Sequence, residues 1–230
     1  MKILFSILNA ILVCAVLAGD VCYTMFGGLW LKGLTSGFFV LLGIVNLIYL
    51  VLRKSKHVKF GLIMLVALVF SMIGDIVLNL GETGFMIGAG IFAIGHIFYF
   101  ISYGVLQKFK WTDLIASMVI FVPSCLVITL VPIFDFGGIL MEIICVIYAL
   151  IISLMLGKAI ANLIREKSWI NLIVVIGSFL FFFSDLMLLF SNFAEVSRIF
   201  DILCLATYYP AQCVLGCSLF VIDELKRKDS

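Results

Sequence analysis

The chain has 230 residues, a net charge of +2, and 65% hydrophobic against 12% charged residues. A water-soluble fold of this length needs far more polar surface, and the apolar–polar alternation of a membrane barrel is missing, so composition excludes both. What remains is an all-α polytopic membrane protein.

Taken in chain order, eight segments hold the roughly 20 apolar residues that a bilayer-spanning helix needs. They lie at about 4–26, 32–52, 59–80, 84–106, 112–132, 137–158, 169–192 and 199–221. The first, with Lys2, an apolar core and "VLAGD", has the outline of a signal peptide. Its apolar run continues through Val21 to Phe26, so it is read as a retained first helix. Connections are short and leave no room for a soluble domain, which makes residues 1–230 one eight-helix domain.

Basic residues set the expected orientation. With the N-terminus inside, Lys2, Arg53 to Lys59, Lys108, Lys110, Lys158, Arg165, Lys167 and Lys226 to Lys228 all fall on the cytoplasmic side. Only Lys32 and Arg198 fall outside it. Both termini are therefore expected in the cytoplasm. Seven cysteines sit mostly in apolar runs without paired spacing, and are read as small buried hydrophobes rather than disulfides or metal ligands.

Two acids interrupt this apolar pattern. "FSMIGDIVLNL" carries Asp75 in the third segment, and "FFFSDLMLLF" carries Asp185 in the seventh. An ionisable residue at such a place costs about 2.5–3.5 kcal/mol on insertion scales, so a functional role is the default over simple helix tying. Each lies about 16 residues, roughly 24 Å, from the cytoplasmic start of its helix, so the two share one depth. Asp20, Glu142, Asp201 and Lys32 fall near that level, and one chamber open to the outer side would collect them. Sliding the chain until Asp75 falls on Asp185 superposes the two acidic runs. An ancestral 4+4 duplication in parallel halves, and a chance match, are both open readings of so short a run.

In a low-dielectric chamber two adjacent carboxylates do not both ionise easily, so the pair is expected to share a proton and act as acid and base. His96, in "AIGHIFYF", is equally well read as a satisfied buried histidine or as a participant. Lys32 is either an interfacial snorkelling residue or a phosphate ligand. Tyr148, Tyr208 and Gln212 bring polar groups that would orient a substrate, and Ser184 is placed to steer Asp185. Two distant histidines do not make a zinc site, and no G-x-S-x-G run supports a serine nucleophile. A transporter whose carboxylates carry protons would use the same buried acids.

At these residues the chain resembles the YhhN family of lysoplasmalogenases. The matching runs are "SMIGDIVL" with Gly74 and Asp75, "FAIGHIFYF" with His96, "YALIISLML" from Tyr148, "FLFFFSDLMLLF" with Asp185, and "YYPAQ" from Tyr208 to Gln212. They occur in order from about residue 30 to 215. One departure is Lys32-Gly33, where the family has Lys-Pro.

The resemblance implies a multi-pass membrane hydrolase, in a bacterial cell membrane or the endoplasmic reticulum. It would cleave the vinyl-ether bond of lysoplasmalogens to a fatty aldehyde and glycerophospho-ethanolamine or -choline. Asp75 and Asp185 would be catalytic; the sequence does not decide which is acid and which base, and the assignment leaned to is Asp75 as acid and Asp185 as base. Lys32, His96, Tyr148, Tyr208 and Gln212 would bind and orient the substrate. No metal or organic cofactor is required. The implied partners are the lysophospholipid and surrounding membrane lipids, with no nucleic acid.

Overall fold

The computed structural model describes residues 1–194 and 197–226, and each expected span forms a single helix. In order these are α1 (Lys2–Phe26), α2 (Leu29–Leu52), α3 (Val58–Val77), α4 (Gly81–Leu106), α5 (Trp111–Leu130), α6 (Ile139–Arg165), α7 (Trp169–Phe193) and α8 (Ile199–Lys226). All eight are long and apolar enough to cross a membrane, which makes the chain a multi-pass integral membrane protein. Helices are the expected solution, because each satisfies its own backbone hydrogen bonds where no water is available.

Two boundaries move for physical reasons. α3 stops at Val77 rather than residue 80, and Asn79 folds back to donate its amide to the Asp75 carbonyl at 3.0 Å. α6 runs on to Arg165, although the sequence reading ended it at Lys158 as the first charge of a cytoplasmic loop. Lys158 is fully buried there, because its ammonium meets the Asp113 carboxylate of α5 at 2.7 Å. Arg165 pairs with the other Asp113 oxygen at 2.7 Å, as an ion pair and not an aligned hydrogen bond. A charge reads as a helix end only when its partner is not visible.

Sequential helices pack side by side as α1–α2–α3–α4 and again as α5–α6–α7–α8. The two sets join through α2 with α8 and α4 with α6, the same pairing shifted by four helices. α1 and α3 also reach α8. Within the described residues, α5 approaches no helix but α6 within 8 Å, Cα to Cα, and α3 and α7 have no such contact with each other. The main core, with Phe39, Met64, Phe92, Tyr99, Phe181 and Tyr209, fills the space between α2, α3, α4, α7 and α8.

Chain ends meet at one end of the bundle. Lys2 forms an ion pair with Glu224, and Arg53 with Asp223 at 3.6 Å. Arg227 and Lys228 of the C-terminal basic cluster lie outside the described residues. Asp75 and Asp185 sit towards the opposite end, Asp75 in the last turn of α3 and Asp185 about two turns before the end of α7.

Candidate active site

A close approach of two helices places Asp75. Gly74 lets α3 lie against α4 so tightly that a Cβ there would meet the Phe92 ring at 2.8 Å. The next residue, Asp75, then points towards α2 and α8 and is almost wholly buried. Its Oδ1 accepts Lys32 Nζ at 2.9 Å, while Oδ2 accepts the Ser36 hydroxyl and, at 3.0 Å, the Tyr209 hydroxyl. Lys32 and Ser36 stand one turn apart on one face of α2, so both reach the same carboxylate. Buried charge is tolerated here because a cation and two hydroxyls replace the lost water. Lys32 also lies over the Tyr23 ring, 5.3 Å from its centre.

Asp185 has a different environment. Its Oδ2 accepts the Tyr148 hydroxyl of α6 at 2.6 Å and lies 3.1 Å from His96 Nε2 of α4, a contact whose direction follows the imidazole tautomer. His96 Nε2 is also 2.9 Å from the Tyr148 oxygen, so the three groups form a closed triangle. The imidazole is fully buried against Phe181 (centroids 4.6 Å apart), and its Nδ1 has no partner among the described residues. Asp185 itself is about a tenth exposed. Asp75 is thus gripped by α2 and α8, and Asp185 by α6 and α4, the helices that correspond when the chain is shifted by four.

A cavity of about 260 Å³ joins these centres. Its walls include Lys32, Asp75, Asn79, Asp185, Asp201 and Tyr208. The two carboxylates face this space from separate helices and make no hydrogen bond to each other, so the expected shared proton has no direct path between them. Each is provided for by its own partners. A second, apolar groove opens between α4, α5, α6 and α7, with Ala89, Phe92, Ile128, Ala149, Tyr148 and Asp185 on its walls. Asp185 lines both spaces.

The expected chamber is smaller than the sequence suggests. Asp201 and Lys32 belong to it; Asp20, though buried, and Glu142 are not on its walls. Tyr208 lines it but donates its hydroxyl to the Ser71 carbonyl at 3.1 Å. Gln212 does not line it: its side-chain oxygen accepts the Tyr99 hydroxyl at 2.8 Å deep in the core. Ser184 turns away from Asp185 and donates to the Cys204 carbonyl at 3.0 Å. Ser36 and Tyr209 were not anticipated as site residues. Ser36 was legible, one turn after Lys32 on the same face; choosing Tyr209 over its neighbour Tyr208 requires the rotation of α8 about its axis.

No curated protein and no solved structure matches the chain. A sequence profile does match, over residues 35–219, and it takes in both acidic runs, the histidine helix and the tyrosine pair just described. On that coverage, the chain belongs to the YhhN family.

Proposed function

We propose that the protein hydrolyses the vinyl-ether bond of lysoplasmalogens to a fatty aldehyde and glycerophospho-ethanolamine or -choline. The observation that carries this reading is Asp185, which stands on the walls of both the polar cavity and the apolar groove. In a lysoplasmalogen the enol ether is the joint between the hydrocarbon chain and the glycerophosphate head. A chain lying in the groove with its head in the cavity presents that joint to Asp185.

The chemistry asks for a proton on the β-carbon, an anion near the resulting oxocarbenium ion, and water on its carbon. The hemiacetal then splits to aldehyde and alcohol, and the proton is returned. Partners in the site favour the reverse of the roles expected from sequence. Asp75, clamped by Lys32, Ser36 and Tyr209, is a fixed anion suited to stabilise the cation and take a proton from water. Asp185, with Tyr148 and His96 as its polar partners, is suited to deliver the proton. The logic parallels glycoside cleavage by two carboxyl groups. The bias of basic residues towards one side supports cytoplasmic termini, with the cavity mouth on the outer side.

Aldehyde release from lysoplasmenylcholine by the purified protein tests this. Asp75→Asn and Asp185→Asn should each lower turnover by about 10²–10⁴-fold. A rival reading, proton-coupled transport, draws on the buried polar face of α4, where His96, Tyr99 and Tyr103 follow one another towards the termini, with Gln107 just past the helix end. Wild-type protein that releases no aldehyde but moves protons with a solute in proteoliposomes would favour that rival.

A further inference from the structure

Lys32 was the sequence's candidate for meeting a phosphate, but its ammonium is held by Asp75 at 2.9 Å. The polar cavity continues into a second chamber of about 360 Å³ at the rim, through Tyr23, Asp201 and Leu205, which line both. The far wall of that chamber carries Arg198, whose guanidinium donates to the Thr24 carbonyl at 3.2 Å. Arg198 and Asp201 form no ion pair among the described residues, either with each other or with another side chain. Asp201 is instead held by the Ser191 hydroxyl. Among the described residues, the chamber walls therefore carry a guanidinium and a carboxylate that no opposite charge neutralises.

We infer that Arg198 and Asp201 form a headgroup subsite for a zwitterion, with the guanidinium on the phosphate and the carboxylate on the ammonium. This rests on reading the cavity as a lysolipid site. Ser191, which fixes Asp201, lies roughly 9 Å along α7 from Asp185 at the rise of a helix, a distance of the order that a glycerol backbone spans. Arg198 immediately precedes α8, so the subsite sits at the helix ends, at the depth where headgroups reside. A guanidinium takes two phosphate oxygens at once, and a carboxylate pairs with an ammonium but repels a second phosphate charge. The subsite therefore selects phosphoethanolamine and phosphocholine heads over a bare phosphate.

Binding to the full-length protein in detergent tests this with three saturated ether analogues that have no bond to cleave: hexadecyl-lysophosphocholine, hexadecyl-lysophosphatidate and hexadecylglycerol. Asp201→Asn should weaken the phosphocholine analogue about tenfold and leave the phosphatidate analogue unchanged or tighter. Arg198→Gln should weaken both phosphate-bearing analogues about tenfold and spare hexadecylglycerol, while Arg198→Lys, which keeps the charge but loses the two-oxygen grip, should fall between wild type and Gln. Asp201→Ser serves if the Asn variant does not fold. Equal weakening of all three ligands, or none, would overturn the assignment. Aldehyde release on the same preparations separates the two claims. The expected binding pattern without aldehyde removes the hydrolase and keeps the subsite; aldehyde without charge-dependent binding does the opposite.

Discussion

Two buried ion pairs show how single residues hold this protein together. Asp75 with Lys32 and Asp113 with Lys158 each cancel a charge that the surroundings do not solvate. Removing one partner leaves the other exposed to that cost, about 3–5 kcal/mol, whereas removing both costs much less. Lys32→Met should therefore lower the unfolding midpoint in detergent strongly, and adding Asp75→Asn should restore much of it. A double change that merely sums the single ones would contradict the pairing. Asp113→Asn should destabilise to a similar degree while leaving turnover per folded molecule unchanged, since Lys158 lies far from the cavity, near the end where the chain termini meet. Sequence alone exposed the first pair in part, because an acid within an apolar run announces itself and Lys32 shares its depth. It hid the second, because Lys158 looked like an ordinary loop residue.

At the scale of elements, close helix contacts depend on missing side chains. A Cβ at Gly157 of α6 would come within 2.5 Å of the Ser117 backbone of α5, and backbone has no rotamer through which to yield. Gly157→Ala should cost about 1–3 kcal/mol or more. It should also loosen α5, detectable as faster proteolysis of the loops on either side of it. Gly74→Ala meets the Phe92 ring instead, so a compensating Phe92→Leu should recover stability, which no side-chain change at the α5 contact does for Gly157. α5 carries a further weakness at Pro123, which removes one backbone donor, while Ser124 donates to the Ile120 carbonyl at 2.9 Å. Hydrophobic length located all eight helices, since bilayer thickness fixes span. It did not give their rotations, and rotation decides that Tyr209 rather than Tyr208 touches Asp75 and that Gln212 points into the core.

For the whole molecule, the informative pattern is correspondence between halves. Each acid-bearing helix holds its carboxylate with the next helix in from the same half and the last helix of the other. The partners themselves differ, an ammonium with two hydroxyls on one side and an imidazole–phenol pair on the other. Shared depth of the acids was readable from spacing; the separateness of their partners was not, because it depends on which side chains cross from a distant helix. α5 leans on α6 alone, and with it one wall of the apolar groove is the least anchored part of the bundle. If the proposed cut is made at Asp185, the oily fragment lies on that flank and the water-loving fragment in the polar chamber. On that reading the two products part sideways into lipid and out through the chamber mouth, and neither has to pass the other to leave.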